Sequence, residues 1–121
     1  MDIALCASFL EGDIWAERLV AAAQYKLQID EFNDTDSLLE AISQKPYYAV
    51  VAAFDGSEAV MEIEKIREAY PDMPLIWISE DSSLGIAAYQ NHVTSFVDKN
   101  AFENQIQNAL EVCGTDKRKI V

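Results

Sequence analysis

The chain has 121 residues, of which 50% are apolar, a size and composition that suit one compact domain with one core. Nine basic residues against 21 acidic ones give a formal net charge of −12, which argues against DNA or RNA binding by this domain and against an anionic membrane surface. No apolar run approaches the roughly 20 residues of a membrane span, and the first residues do not resemble a signal peptide, so we expect a cytoplasmic protein. Cys6 and Cys113 have no neighbouring His or Cys, which predicts two apolar core residues rather than a metal site.

Short apolar segments alternate along the chain with longer segments in which apolar residues recur at helical spacing. This alternation is typical of a parallel sheet covered by helices. The predicted strands are Ile3–Ala7, Gln28–Phe32, Tyr48–Phe54, Leu75–Ser79 and Ser95–Val97.

The first two predicted helices have recognisable end signals. The first is expected to begin near Asp13, a good N-cap residue. The second is expected to begin at Asp34 or Thr35 and to end before Pro46, because a residue that precedes proline disfavours the helical conformation.

Two further helices are predicted in the middle of the chain. One follows Gly56 and is closed by Pro71, with apolar residues at helical spacing between them. The other begins near Ser82 or Ser83 and ends around His92.

The fifth predicted helix opens with Asn100 and Glu103, which have the spacing of a capping box, and Gly114 is expected to end it in a left-handed conformation. Five strand–helix units of this size predict a doubly wound α/β sheet with any site at the carboxyl ends of its strands. We therefore expect one domain over residues 1–114 and a separate basic segment over residues 115–121.

The segments Ile76–Ser79 and Ser95–Lys99 carry a family resemblance. Over residues 1 to about 113, the chain resembles the receiver domain of two-component response regulators, closest to receivers that precede a LytTR-type DNA-binding domain. In that family the fourth strand ends in Ser or Thr, and a Lys follows the fifth strand with an aromatic residue three positions before it. Ser79, Lys99 and Phe96 fall on these positions without a gap. The resemblance implies a flavodoxin-like five-stranded parallel sheet of order 2-1-3-4-5.

The sequence departs from the family at the positions that carry its chemistry. Receivers have an acidic pair that holds Mg²⁺ after the first strand, where this chain has Ala7 and Ser8. They have a phosphoryl-accepting aspartate at the end of the third strand, where this chain has Ala53. Mg²⁺ requires oxygen ligands, and an acyl phosphate requires a carboxylate nucleophile. We therefore expect a vestigial phosphorylation site with no catalytic residue, no metal and no cofactor, and a protein that is not an enzyme.

Two alternatives stay open for the family residues that the chain retains. Lys99 either pairs with a local carboxylate such as Asp55 and holds the domain in one state, or is solvated, with Ser79 merely capping a strand end. Phe96, the switch aromatic of the family, is either frozen in one position or simply a half-buried strand residue. Asp55 and Ser8 are also weak candidates to stand in for the missing nucleophile.

The main functional alternative is a flavodoxin-like domain that binds a small molecule or cofactor, since a fold does not fix a function. Flavin phosphates need a Ser-, Thr- or Gly-rich loop that presents backbone N–H groups. The loop between Ala7 and Gly12 contains bulky residues and an acid and fits poorly. His92, at a position where receivers usually have glycine, is isolated and is expected to end a helix rather than to perform catalysis.

The predicted fourth helix is expected to form an interaction surface. From Ser82 to Val93 the sequence has no Asp, Glu, Lys or Arg, although about three would be expected in twelve residues of a chain that is 25% charged. Depletion of charge is typical of the core of a protein interface. We expect a homodimer or a partner complex through the fourth helix, fifth strand and fifth helix, the surface that receivers commonly use for dimerisation. The interface residues predicted are Leu84, Gly85, Tyr89 and Phe96.

The segment Lys117–Val121 changes abruptly from acidic to basic and then apolar composition. It is interpreted either as a linker that enters a downstream DNA-binding domain or as a solvated tail.

Overall fold

Five parallel strands form one sheet in the computed structural model, which describes residues 1–115. The strands are β1 (Asp2–Ala7), β2 (Gln28–Phe32), β3 (Ala49–Ala53), β4 (Leu75–Ser79) and β5 (Ser95–Asp98). Their order is β2-β1-β3-β4-β5, which confirms the predicted doubly wound α/β fold. The basic segment from position 116 onward lies outside the described residues, so the domain boundary stays a prediction.

Helices cover both faces of this sheet. They are α1 (Gly12–Ala22), α2 (Thr35–Gln44), α3 (Ala59–Ala69), α4 (Gly85–Gln90) and α5 (Phe102–Gly114). The apolar side chains of α1 and α5 pack on one face of the sheet, and those of α2, α3 and α4 pack on the other. Among the described residues, no helix is long and apolar enough to cross a membrane.

The central strands are apolar on both faces because each face is covered by helices. All five residues of β3 are buried, and so are all five of β4. Cys6 and Cys113 are buried, unbridged and on opposite faces, which confirms the prediction of two core residues. Burial, reinforced by the nearby carboxylates of Asp34 and Glu62, raises the pKa of the Cys6 thiol to about 12.

Three predicted helix-end signals are wrong, those of Asp13, Gly114 and the capping box of α5, whereas the predicted cap of α2 is confirmed. Asp34 caps α2 as expected, with its side chain accepting a hydrogen bond from a backbone N–H at 2.8 Å. Asp13 does not cap α1, because the helix begins one residue earlier, and the residue before it makes no side-chain cap. Gly114 does not end α5 in a left-handed conformation; it is the last helical residue, and Gly56 is the described glycine with positive φ.

The predicted capping box of α5 is also wrong. A short 3₁₀ turn precedes the helix, and the Asp98 carboxylate accepts the N–H of Asn100 at 2.9 Å. Asn100 therefore does not cap the helix, and Glu103 instead pairs with Arg18 of α1 at 2.8 Å. Asp98 caps the 3₁₀ turn, and α5 itself begins without a side-chain cap.

Gly114 has a packing role in place of the predicted conformational one. An added Cβ would lie 2.7 Å from the Tyr48 hydroxyl oxygen, which donates a hydrogen bond to the carbonyl of Leu110 at 2.6 Å. We expect Gly114→Ala to lower the free energy of unfolding by about 1 kcal/mol, because the clash outweighs the better helix propensity of alanine. In a Tyr48→Phe background the same change should stabilise the protein, since no hydroxyl is left to displace. Urea denaturation of the four proteins measures both effects, and an equal effect in both backgrounds would contradict the assigned contact.

Candidate functional site

The residues predicted to form the vestigial phosphorylation site all lie at the carboxyl end of the sheet. Ala7 and Ala53 are the last residues of β1 and β3 and pair with each other in the sheet. Ser79 is the last residue of β4, Ser8 follows β1, and Lys99 follows β5. The structure brings these positions together at the carboxyl end of the sheet, as the predicted alignment requires. Their vestigial role stays a prediction.

The Asp55 carboxylate lies at the centre of the candidate site, where three groups contact it. One oxygen accepts hydrogen bonds from the Ser79 hydroxyl at 2.7 Å and from the Glu80 backbone N–H at 3.0 Å. The other oxygen forms an ion pair with the Lys99 ammonium. Burial opposes ionisation of Asp55, but the hydrogen bonds from Lys99, Ser79 and the Glu80 N–H outweigh it, so the pKa of Asp55 is lowered. Both oxygens of the Asp55 carboxylate therefore have partners within the domain.

Lys99 is enclosed rather than solvated. Its side chain is 14% exposed, and its ammonium lies 3.4 Å from a Glu11 carboxylate oxygen and 5.6 Å from the centre of a Trp15 ring. Burial works to lower the pKa of Lys99, but the hydrogen bond and charge of Asp55, followed by those of Glu11, raise it. The predicted pairing of Lys99 with Asp55 is confirmed, and the alternative of a solvated Lys99 is wrong.

The side chains at the carboxyl end of the sheet do not fit a Mg²⁺ ion of the kind that the receiver resemblance implies. The side chains of Ala7 and Ala53 offer no oxygen, and the Ser8 hydroxyl donates to Glu11 at 3.2 Å. The Asp55 carboxylate is already paired with the Lys99 ammonium. Within residues 1–115 no cluster of His, Cys, Asp and Glu side chains could hold a metal ion. A hard cation that requires about six oxygen ligands would lack the donors it needs here.

A cleft of about 300 Å³ opens beside the two alanines, and its chemistry disfavours a phosphate-bearing cofactor. Its acidic lining residues are Glu11, Asp55, Glu58 and Glu62. The backbone N–H groups of Glu11 and Gly12 donate to the Ser8 carbonyl at 3.0 and 3.1 Å, so they do not face a phosphate as a flavin loop requires. The alternative of a flavodoxin-like cofactor domain is therefore not favoured.

The uncharged fourth helix exposes apolar side chains, as the sequence suggests, but not the same set. Tyr89 is 84% exposed, Leu84 and Gly85 are half-buried, and a Cβ on Gly85 would meet open space. Ile86 is 72% exposed and is missing from the predicted interface. A 3₁₀ turn over Ser82–Leu84 precedes α4, so the α-helix begins later than the sequence predicts.

Phe96 is a half-buried strand residue that packs edge-to-face on Trp77, with ring centres 5.3 Å apart. On the same side of the molecule, a groove of about 290 Å³ separates the edge strand β5 from α5. Its lining residues carry no charge: Ser95, Phe96, Val97, Asn104, Gln105, Asn108 and Ala109. We call Ile86, Tyr89 and this groove the α4–α5 surface.

His92 ends α4, as predicted. It adopts φ of 52°, a left-handed conformation for which glycine is the usual residue. Its backbone N–H donates to the carbonyl of Tyr89 at 3.1 Å. The residue therefore has a structural role at the helix end.

No family model and no curated protein matches the sequence. Solved structures do match. A response regulator receiver domain protein from Clostridium thermocellum superposes with a TM-score of 0.78 at 11% identity, over 99% of this chain and 98% of that one. The two-component transcriptional regulator AraC from Clostridium phytofermentans ISDg gives 0.72 at 17% identity, over 99% and 96%. The response regulatory domain of mrkE from Klebsiella pneumoniae gives 0.71 at 16% identity, over 100% of both chains. The chain therefore has the fold of response regulator receiver domains.

Proposed function

We propose that this domain is a receiver that works without phosphorylation, as an interaction module rather than as an enzyme. The observation that carries the proposal is the occupied centre of the site, where Lys99 and Ser79 already bind the carboxylate of Asp55. In the receiver resemblance, this Lys and Ser contact the phosphoryl group. Here an internal carboxylate satisfies them, which favours a domain held permanently in one state.

Phosphoryl transfer to this chain lacks both a nucleophile and a metal site. The Ala53 methyl group has no lone pair with which to attack phosphorus. Asp55 is a weak substitute because its two oxygens are already bonded to Ser79, the Glu80 N–H and Lys99. Without carboxylates at positions 7 and 8, no metal would screen the charge of an incoming phosphate.

We expect the domain to gain no phosphoryl mass on incubation with acetyl phosphate and Mg²⁺, as measured by intact-protein mass spectrometry. Ala53→Asp alone should stay unmodified, because Mg²⁺ would still lack the carboxylates that Ala7→Asp and Ser8→Asp supply. Stoichiometric acid-labile phosphate on the wild type would sink the proposal, and its loss in Asp55→Asn would identify Asp55 as the nucleophile. Robust phosphorylation of the Ala53→Asp variant would show that the metal ligands matter less than we infer.

We further propose that the α4–α5 surface forms a homodimer or binds a partner protein. Exposed Ile86 and Tyr89 give it the apolar and aromatic anchors that dominate binding energy at interfaces. The groove beside β5 adds uncharged amide groups, and β5 has no strand on its outer side within residues 1–115. Few charges would therefore have to be desolvated on association.

Tyr89→Arg and Ile86→Arg are each expected to weaken association at least about tenfold, since each puts a charge at the centre of an apolar contact. Sedimentation velocity over a concentration series measures the dimer, and circular dichroism checks that the variants stay folded. Met61→Arg is the matched control, because Met61 is 66% exposed on α3, away from the surface. Unchanged association in both α4 variants would rule the surface out. Loss only in Leu10→Arg would place the interface on the β1–α1 loop instead, where Leu10 is 84% exposed.

We also propose that the domain is part of a transcription regulator with a downstream DNA-binding domain of LytTR type. The support is the sequence resemblance, the basic and apolar composition of Lys117–Val121, and a structural neighbour that is itself a transcriptional regulator. The strongly acidic domain would then act through protein contacts while the second domain binds DNA. Sequencing the encoding gene past Val121 tests this, and an immediate stop codon would contradict it.

A further inference from the structure

The edge of the sheet at β2 carries a groove that the proposed function does not use. β2 pairs with β1 on one side only, so the backbone groups on its outer side are left open within the described part of the chain. A groove of about 470 Å³ runs between this strand and α1. Its lining residues are Ala16, Glu17, Val20, Ala21, Ile29 and Glu31.

One end of the groove is apolar. Val20, on α1, is 54% exposed, and Ile29, on β2, is half-buried beside it. Ala16 and Ala21 are small and leave the floor shallow and open. An aliphatic side chain placed here would remove Val20 and Ile29 from water.

The other end of the groove is acidic, and no basic side chain among the described residues forms an ion pair with it. Burial and then the charge and hydrogen bond of Asp13 raise the pKa of the Glu31 carboxyl, so two acids face each other. Among residues 1–115, no Lys or Arg forms an ion pair with Asp13, Glu17 or Glu31.

The opposite face of the same strand shows the contrast. There Asp30 is bonded by the Tyr47 hydroxyl at 2.7 Å and by Lys45 at 2.9 Å. These two hydrogen bonds, that of Tyr47 first, lower the pKa of Asp30. Among residues 1–115, the carboxylate on one side of β2 is thus paired with a basic side chain, and the carboxylate on the groove side is not.

We propose that this groove binds an extended segment of a partner protein that adds beside β2 and carries an aliphatic residue two positions from a Lys or Arg. Residues two apart in a strand point to the same face. The aliphatic side chain would cover Val20 and Ile29, and the basic one would lie beside Glu31, two residues further along β2 than Ile29. A parallel segment has the aliphatic residue first, and an antiparallel segment has the basic residue first.

Charge selects the occupant. The chain has a formal net charge of −12, so a second copy of its acidic surface or a nucleic acid would be repelled from this groove. A basic strand relieves the repulsion between the acids and supplies the missing backbone partners of β2 at the same time.

The test uses the full chain and a fluorescein-labelled peptide, TVTKTVTK, whose valines and lysines share one face when extended. Fluorescence anisotropy should show binding that weakens at least tenfold in TSTKTSTK, which keeps the charge, and in TVTETVTE, which keeps the apolar residues. In the protein, Glu31→Gln and Val20→Asp should each weaken binding at least threefold. Glu64→Gln, which removes an exposed acid of α3, is the matched control and should leave binding unchanged.

Two results would overturn the proposal. One is equal binding of the valine and serine peptides, which would reduce the attraction to net charge alone. The other is an equal effect of Glu31→Gln and Glu64→Gln, which would place the peptide elsewhere. Amide hydrogen exchange gives an independent readout, because the outward N–H groups of β2 should exchange more slowly with the peptide bound.

Discussion

Arg67→Met is expected to lower the free energy of unfolding by about 3 kcal/mol, because it removes the charged donor that joins two turns of the fold. Arg67 lies in the last turn of α3 and is only 8% exposed. Its guanidinium donates to five backbone carbonyls at 2.7–3.1 Å, those of Tyr70, Pro71, Met73, Asn91 and His92. Methionine fills a similar volume but donates nothing, so the carbonyls of both turns would lose a buried partner.

Urea denaturation measures this effect against a matched surface variant. Lys65→Met removes an ion pair with Asp36 at 3.2 Å, but its side chain is 51% exposed, so it should change stability by less than about 0.5 kcal/mol. Arg67→Lys should recover only part of the loss. The planar guanidinium of arginine donates to both turns at once, whereas the single ammonium group of lysine cannot reach both. If Arg67→Met were as mild as Lys65→Met, the carbonyl cluster would not stabilise the fold.

Arg67 also connects stability to the proposed α4–α5 surface. Two of its carbonyl partners, Asn91 and His92, form the turn that ends α4. The same variant should therefore loosen the position of Ile86 and Tyr89 and weaken association without touching the surface itself. The sequence does not indicate this role, since an arginine in a helix most often lies on the solvated face.

Much of the fold could be predicted from the sequence because β1, β3 and β4 are short apolar runs bounded by polar or turn residues. β4 was predicted with its observed bounds, since Pro74 precedes it and the acidic Glu80 and Asp81 follow. The prediction of helix ends fails where two local capping signals compete for the same backbone N–H groups. At α5, Asp98 takes the N–H of Asn100 and a 3₁₀ turn forms first, so the spacing of a capping box was misleading.

The candidate site could be predicted in its positions but not in its contacts. The family pattern locates Ser79 and Lys99, but whether Lys99 meets Asp55 depends on the loop after β3. Gly56 has φ of 85° in that loop, and no sequence pattern reports which way such a turn directs the preceding side chain. The contribution of Glu11 was missed for the same reason, since it lies on a turn four residues past β1 whose direction the sequence does not give.

Asp55→Asn is expected to lower the free energy of unfolding by about 2 kcal/mol, because it leaves an enclosed ammonium with a weaker partner. Lys99, with its side chain 14% exposed, would keep only Glu11 at 3.4 Å among its carboxylate partners. Lys99→Met should cost about 1 kcal/mol, since the Asp55 side chain is 31% exposed and keeps its bonds from Ser79 and the Glu80 N–H. The double variant should lose about 1 kcal/mol less than the sum, because no unpaired charge is left. Additive losses would mean that the two charges do not stabilise each other.

The pH dependence of the stability that the Asp55–Lys99 pair contributes shows whether the two side chains act through their charges or only through packing. The pKa of Asp55 is lowered from 3.8, so its contribution is present above that value and is lost as the pH falls through the lowered pKa. The pKa of Lys99 is raised from 10.5, so its contribution is present below that value and is lost as the pH rises through the raised pKa. The stability difference between the wild type and Asp55→Asn should therefore be constant between about pH 5 and pH 9 and shrink on both sides. Urea denaturation at a series of pH values measures it. The control is the same Asp55→Asn change made in a Lys99→Met background, where the decline at alkaline pH should be absent. A difference that stays constant down to about pH 2 would mean that Asp55 acts through its hydrogen bonds and shape, and that its charge holds nothing in place.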